Sequence, residues 1–223
     1  MTIEPTALMA LLDEERSVND LRLYFGIDAL PDAPVYTGAR FESLGGGGDT
    51  RESCDHFTAL DLIAVQCLSV LVPAPIALAM LEGSLGQILA EYLGQIPTDV
   101  EMGSDEAGVL LSGSATNGAW KLLREQDDIG WVTAGKLLAR KRPKLIPVWD
   151  NVVRCALRPG DEVWLWMNET FQEANGQLPR RLLRLHEEAG LPATVSTLRV
   201  LDVVVWMRHH TQHRMSGCRG LLQ

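Results

Sequence analysis

The feature that most constrains the fold is a nearly unbroken series of helical segments after residue 57. Thr58 and Asp61 have the spacing of an N-terminal helix cap before "ALDLIAVQCLSVLV", and Pro75 opens a second apolar segment that Gly94 and Pro97 close. Helical periodicity continues toward the C-terminus, whereas strand-type alternation is scarce. Further helices are predicted at about 114–126, 131–141 and 148–157, followed by three more. The sequence therefore predicts an all-α fold.

Residues 1–57 are predicted to form an irregular N-terminal region, and residues 58–223 the helical domain. Two short helical patterns come first, "PTALMALLDEE" and "SVNDLRLYFG", and Ser17 with Asp20 has the spacing of a capping box. Residues 31–57 have no helical period and contain four consecutive glycines. Such a run is typical of a flexible linker, and the sequence leaves open whether it is a mobile flap or a spacer.

The composition is that of a soluble globular protein, with 46% hydrophobic and 22% charged residues in a chain of 223. "MTIEP" has no leader-type apolar run, and prolines interrupt the most apolar stretch, "LIAVQCLSVLVPAPIALAML". We therefore expect two buried helices there and no membrane span. The cysteines, Cys54, Cys67, Cys155 and Cys218, lack metal-ligand spacing. We expect reduced thiols, a cytoplasmic location, and neither metal nor cofactor.

The net charge of −9 argues against nucleic-acid binding, because phosphate binding draws its affinity from lysine and arginine. The positive charge is unevenly placed, however. One run contains Lys136, Arg140, Lys141, Arg142 and Lys144 with no acidic residue among them. A charge run is typical of a solvated helix face, and it is also what a surface that tracks a phosphate backbone requires.

The segment "DIGWVTAGKLLARKRPKLIPVWDNVVR", residues 128–154, has the pattern of a helical hairpin followed by a third helix. Gly130 is the predicted pivot, and Thr133 and Ala134 are small enough for close packing against the preceding helix. The first amides of a helix have no intrahelical partner and favour an anion, such as a DNA phosphate. Asp150 comes at the head of the third helix, where the helix dipole stabilises a carboxylate.

This segment resembles the helix-hairpin-helix DNA glycosylases, the HhH-GPD-like base-excision superfamily. The family hairpin reads roughly Leu-Pro-Gly-Val-Gly-x-x-Thr-Ala, and its catalytic aspartate follows a link that ends in Pro/Ala-Val-Asp. Here "IGWVTA" supplies the matching glycine, threonine and alanine, and "IPVWD" supplies Pro147, Val148 and Asp150. In bifunctional members a Schiff-base lysine occupies the position of Val132, and the family's spacing of eighteen residues to the aspartate is kept here. The specific similarity covers about residues 126–154.

The whole chain also resembles an uncharacterised bacterial family of hypothetical proteins related to these glycosylases, through "FTALDLIAV" and "GWVTAGKLLARKRPKLIPVWDNVV". That family brings no established activity.

The sequence departs from the glycosylase pattern in the hairpin turn. Gln126, Asp127 and Asp128 replace Leu-Pro-Gly. Aspartate tolerates the left-handed backbone that the lost glycine would need, so the turn can survive. Two carboxylates nevertheless oppose phosphate binding. Val132 excludes imine chemistry at the lysine position, and the closely spaced cysteines of iron–sulfur members are absent.

The resemblance implies a helical, monofunctional DNA N-glycosylase that hydrolyses a nucleobase–deoxyribose bond. Asp150 would stabilise the oxocarbenium-like sugar and orient or deprotonate the attacking water. Trp131 and Trp149 flank this site and are candidates for holding a flipped base. The expected contacts to the DNA backbone are Gly130, Val132, Thr133, Lys136, Arg140 and Lys141.

Other interpretations stay open at this point. Asp150 has the position of an ordinary N-terminal helix residue, and tryptophans are common in protein cores. If Asp150 and the tryptophans have only these structural roles, the chain is a non-catalytic helix-hairpin-helix module that binds DNA or a protein partner. In a third interpretation, a pocket beside the hairpin takes a small molecule such as a free nucleoside.

Overall fold

The computed structural model describes residues 5–13, 15–30, 35–158 and 162–214. Within these ranges the chain is helical and contains no strand, which confirms the predicted all-α class. The α-helices are α1 Pro5–Asp13, α2 Arg16–Phe25, α3 Ala59–Gln66, α4 Ala74–Leu81, α5 Ser84–Leu93, α6 Asp105–Ser112, α7 Ser114–Arg124, α8 Trp131–Lys141, α9 Asn151–Leu157, α10 Val163–Glu188 and α11 Thr197–His213.

The N-terminal region packs into the same core as the rest of the chain. Helix α2 packs on α11 and α1 packs on α10. Leu21 and Phe41 are fully buried in one hydrophobic cluster with Leu138 and Val204. The predicted boundary at residue 57 therefore does not coincide with a break in the core.

The capping box predicted from Ser17 and Asp20 for α2 is wrong. Helix α2 begins at Arg16, before Ser17, and Glu15 is its N-cap. The Ser17 hydroxyl donates to the carbonyl of Leu11, and Asp20 pairs with Arg208 at 2.6 Å. Both side chains are used in tertiary contacts, which sequence spacing alone does not reveal.

The tetraglycine segment is packed against α8. Gly48 is buried, and a Cβ built on it would lie 2.3 Å from the carbonyl oxygen of Arg140. Gly45, Gly46 and Gly47 have positive φ angles of 65°, 89° and 116°, which favour glycine. Gly48 therefore allows the backbone to pass close to a buried arginine, while Gly45 and Gly46 lie at the surface of this turn.

The predicted cap of α3 is confirmed, since Thr58 and Asp61 form a reciprocal capping box. The next helix, α4, is less buried than expected, with Leu78 57% exposed and only Met80 buried. Within the described residues, no single helix is long and apolar enough to cross a membrane. Helices α4 and α5 meet that requirement only when taken together, and they are bent by 62°.

Helices α7 and α8 pack as a helical hairpin, and α8 has the predicted bounds. Asp128, in the turn, has a φ of +59°, so the predicted left-handed aspartate is confirmed. Helix α9 begins at Asn151, three residues later than predicted, because Asp150 is its N-cap. Further on, the two helices predicted around residues 161–190 form the single α10, with Gly176 at a φ of +70° inside it.

Candidate functional site

Asp150 lies in a cleft of about 600 Å³ that is open to solvent. Helix α8 contributes Val132 and Lys136 to its wall, and α11 contributes Arg199 and Asp202. The remaining wall comes from the end of α2 and from irregular segments at 35–38, 67–70 and 148–152. Val132, the position that corresponds to the glycosylase lysine, and Asp150 therefore face one cavity.

The two carboxylate oxygens of Asp150 have different surroundings. Oδ1 accepts hydrogen bonds from the backbone amides of Val152 at 2.9 Å and Val153 at 3.0 Å. Oδ2 lies 4.0 Å from the ammonium nitrogen of Lys136, and the side chain keeps 20% of its surface exposed. The amides and the ammonium stabilise a negative charge. The capping role and a chemical role of Asp150 are thus compatible, because the cap uses one oxygen.

Lys136 is buried beside Asp150, with its side chain 5% exposed. Its ammonium donates a 2.8 Å hydrogen bond to the carbonyl of Leu68, which anchors it in the cleft wall. Burial lowers the pKa of Lys136, and the negative charges of Asp150 and Asp202 oppose this shift. The residue therefore offers a fixed positive charge inside the cleft and does not reach an external phosphate backbone.

A second charged group forms the floor of the cleft. The Arg199 guanidinium pairs with Asp202 and donates to the Tyr24 hydroxyl at 2.6 Å. Burial raises the pKa of Asp202 to about 7, although Arg199 opposes the shift. Asp202 therefore binds a proton more readily than an exposed aspartate does.

Glu42 supports this floor from below. Its carboxylate accepts hydrogen bonds from the Ser196 amide at 2.9 Å and the Ser196 hydroxyl at 2.7 Å. Ser196 is the N-cap of α11, so Glu42 fixes the start of the helix that carries Arg199 and Asp202. Burial raises the pKa of Glu42 to about 7, against the lowering effect of Arg199.

Aromatic rings form one side of the cleft. Tyr24 and Tyr36 are stacked with ring centroids 5.1 Å apart, and Trp206 meets both rings edge-on at 6.1 Å. His210 stacks on Trp206 at 4.1 Å. Sequence reasoning missed this wall because its members come from segments about 170 residues apart in the chain. These rings can be recognised as one wall of the cleft only when α2 and α11 are seen packed against each other.

The expectation that α8 presents a basic face for DNA is corrected by the burial of its cations. Arg140 is 1% exposed and Lys141 is fully buried. Both pair with the buried Asp61, at 2.9 Å and 2.5 Å respectively. Arg140 also donates to the carbonyls of Phe41, Glu42 and Leu44, and Lys141 donates to those of Gly48 and Ser53. These groups satisfy both cations internally, so neither is available to a phosphate backbone.

Arg142 is also unavailable to a phosphate backbone, because it is 1% exposed and pairs with Asp55 at 2.8 Å. Lys144, the last cation of the basic run that begins at Lys136, is partly exposed. Asp61 and Asp55 lie 79 and 87 residues earlier in the chain than their partners Arg140 and Arg142, so no neighbouring residue signalled this burial.

The hairpin turn lies at the surface of the molecule. Gly130 is exposed and is the N-cap of α8, while Thr133 is buried against the hairpin. Asp127 and Asp128 are exposed beside Gly130. Helix α8 therefore begins at the surface beside two negative charges, and an anion-binding role for its first amides stays a prediction.

The structure does not bring the two predicted base-holding tryptophans into the Asp150 cleft. Trp131 and Trp149 line a different pocket, of about 280 Å³, which adjoins another face of α8. The predicted stacking role beside Asp150 is therefore corrected, and the cleft has Tyr24, Tyr36 and Trp206 instead. Trp131 precedes Val132 by one residue, which turns an α-helix by about 100°, so the two side chains lie on different faces of α8. Trp149 and Asp150 are neighbours ahead of α9, and they line different pockets.

Cys155, His209 and His213 have ligand-type atoms within 4.8 Å of one another. Cys155 is disulfide-bonded, so it does not offer a thiolate to a metal ion. Cys54 and Cys67 are free thiols. The expectation of reduced thiols thus holds for two described cysteines and is wrong for Cys155, while Cys218 lies outside the described residues.

Fold and site define an all-helical protein with a helical hairpin and an aspartate-bearing cleft beside it. Residues 17–209 match the model of a family of unknown function, DUF6308, and the chain belongs to that family. No curated protein and no solved structure gives a match. The family description names no activity, so the glycosylase interpretation stays a prediction.

Proposed function

We propose that this protein hydrolyses the N-glycosidic bond of a nucleoside unit placed in the Asp150 cleft. One observation carries the proposal. The carboxylate of Asp150 has one oxygen fixed by two backbone amides and the other directed toward a solvent-open cavity that also contains Lys136. A fixed negative charge in a partly desolvated cavity is what stabilises an oxocarbenium-like sugar.

In this mechanism water adds to C1′ of the sugar while the bond from C1′ to the nucleobase nitrogen breaks. Asp150 stabilises the positive charge on the sugar and takes the proton from the water. The leaving nucleobase takes up a proton, and Asp202, whose pKa is about 7, is a donor in the same cleft. The rings of Tyr36 and Trp206 supply a surface on which the base stacks.

The first candidate substrate is a DNA nucleotide swung out of its strand, as the resemblance to the glycosylases implies. The surface position of Gly130 at the start of α8 supports this substrate, because the first amides of a helix favour an anion. A free nucleoside is the second candidate, and one observation favours it. Arg140, Lys141 and Arg142 are used inside the fold, so α8 offers no basic face that would hold a strand.

The test is base release from two sets of substrates. One set contains duplex and single-stranded oligonucleotides with uracil, alkylated or oxidised bases, followed by hot alkali to cleave abasic sites. The other contains free ribo- and deoxyribonucleosides, with released base measured by chromatography. Release from oligonucleotides supports the DNA substrate, and release from nucleosides alone supports the second candidate.

Asp150→Asn is the test variant, and Asp128→Asn is its matched control. Both replace an aspartate by its amide, but Asp128 lies in the exposed hairpin turn, where asparagine also tolerates the left-handed backbone. We expect Asp150→Asn to lose at least a hundredfold in rate and Asp128→Asn to keep the wild-type rate. Absence of base release from both substrate sets would exclude the proposed reaction and leave a non-catalytic binding role.

A further inference from the structure

Four of the six tryptophans in the chain line the second pocket, which adjoins another face of α8 than the Asp150 cleft does. They come from four different places: Trp120 on α7, Trp131 on α8, Trp149 on the link before α9, and Trp164 on α10. Among the described residues, none lines both this tryptophan pocket and the Asp150 cleft. The two cavities are lined by different faces of α8, so the tryptophan pocket is a site of its own.

The rings of the tryptophan pocket are arranged as a corner. Trp120 and Trp164 have centroids 6.2 Å apart and an interplanar angle of 76°, so two ring faces meet nearly at right angles. Trp149 is buried and is held by Trp166, with ring centroids 6.2 Å apart. A rigid corner of ring faces is suited to surround a compact ligand on several sides.

The same rings already attract cations on their outer sides. The guanidinium of Arg124 lies 4.9 Å from the ring centroid of Trp120, and that of Arg154 lies 5.4 Å from the centroid of Trp131. Neither arginine lines the tryptophan pocket, so the pocket side of these rings is not covered by them. The face of an indole ring carries negative potential and attracts a cation wherever one can reach it.

The charge of the lining selects the kind of ligand. Among the described residues that line the tryptophan pocket, Glu162 alone is charged, and it is exposed at the start of α10. A negative carboxylate and the ring faces both repel a phosphate or carboxylate group. Asn117 and Ser112 add neutral polar groups at the edge.

We propose that the tryptophan pocket binds an organic ammonium ion, such as a quaternary or alkylated amine. The alkyl groups contact the indole faces, and Glu162 supplies the opposite charge at the rim. This inference does not depend on the reaction proposed for the Asp150 cleft, because the two cavities share no described lining residue.

Gly135 gives a way to test the pocket without disturbing the fold. It is a buried residue of α8 that lines the tryptophan pocket, and a Cβ built on it would meet no atom within 4 Å. The space beside Gly135 is therefore the pocket itself. A leucine at this position fills the cavity from its floor.

The experiment is a titration of the full chain with choline, followed by tryptophan fluorescence and isothermal titration calorimetry at constant ionic strength. The neutral comparison is 3,3-dimethylbutan-1-ol, which has the same shape as choline without its charge. We expect choline to bind at least tenfold more tightly than the alcohol. Equal affinities, or no binding of either compound, would overturn the proposal.

Three variants locate the binding. Gly135→Leu should abolish choline binding, and Glu162→Gln should weaken it several-fold, while both keep the wild-type circular dichroism spectrum. Trp206→Phe changes a tryptophan in the other cavity and should leave the choline affinity unchanged. Binding that survives Gly135→Leu in a folded variant, or that Glu162→Gln does not weaken, would contradict the proposed site.

Discussion

The ammonium nitrogen of Lys136 lies 4.0 Å from Oδ2 of Asp150, while Oδ1 of the same carboxylate caps helix α9. One aspartate thus has a structural contact on one oxygen and a charged neighbour on the other. Lys136 follows Val132 by one helical turn, so a cation enters the cleft although the position of the glycosylase lysine is apolar.

Two substitutions separate the effect of the Asp150 helix cap on stability from the effect of its negative charge. Asparagine keeps an oxygen that accepts from the amides of Val152 and Val153, whereas alanine removes it. Both remove the charge beside Lys136. We expect Asp150→Ala to be less stable than Asp150→Asn by about 1 kcal/mol, measured by urea unfolding. Equal stabilities would mean that the cap contributes nothing to α9.

The buried group of Asp61, Arg140 and Lys141 should be a major source of stability. Asp61→Asn leaves two buried cations without their counter-charge, and we expect a loss of about 3–5 kcal/mol in the free energy of unfolding. Glu125→Gln is the matched control because Glu125 forms an exposed pair with Lys121 at 3.9 Å. Its effect should be less than about 1 kcal/mol. Similar losses from both variants would refute the structural role assigned to Asp61.

Two glycine-to-alanine substitutions should have opposite signs. In Gly48→Ala the new methyl group would lie 2.3 Å from the Arg140 carbonyl oxygen, and we expect a loss of about 1–3 kcal/mol. In Gly135→Ala the methyl group enters open space within a helix, and we expect a gain of about 1 kcal/mol. Thermal unfolding of both variants checks the signs. A stable Gly48→Ala would show that the tetraglycine segment does not pack closely on α8.

Glu42 should make stability depend on pH. Burial raises its pKa from 4.5 to about 7 in the folded chain, with Arg199 opposing the shift. The contribution of the protonated Glu42 side chain to the free energy of unfolding is fully present below about pH 4.5. It is lost as the pH rises to about 7, because Glu42 releases its proton at lower pH in the unfolded chain than in the folded one.

Glu42→Gln removes this titration and keeps groups that can bond to Ser196. Relative to wild type, the variant should therefore gain stability between pH 4.5 and 7, by on the order of 3 kcal/mol. Urea unfolding of both proteins at several pH values gives the difference directly. A difference that stays constant across this range would mean that Glu42 titrates alike in the folded and unfolded chains.

The local elements of the fold could be predicted from sequence because their signals are short. The capping box of Thr58 and Asp61, the bounds of α8 and the left-handed Asp128 each depend on a few neighbouring residues. The position of Asp150 at the head of a helix follows in the same way. These features need no knowledge of tertiary contacts.

The surroundings of those elements could not be predicted, because they depend on partners far apart in the chain. Arg140 looked like a surface cation until Asp61 and the carbonyls of residues 41–44 were placed around it. Trp131 and Trp149 looked adjacent to the Asp150 site, yet they line a different pocket. Burial and facing direction are properties of the packed molecule, and a single sequence records them only weakly.

The buried position of Arg140 also has a consequence for folding of the chain during its synthesis. The carbonyl of Glu42 is separated from Arg140 by 98 residues, and both lie within the first two-thirds of the sequence. During synthesis the tetraglycine segment leaves the ribosome long before the cations that order it. Until residue 142 has emerged, the early segment can contact α3 but lacks the cations that complete its packing, which leaves it more exposed to proteases and to other chains. Packing of the beginning of the chain is therefore a late event, which is completed only when α11 packs on α2.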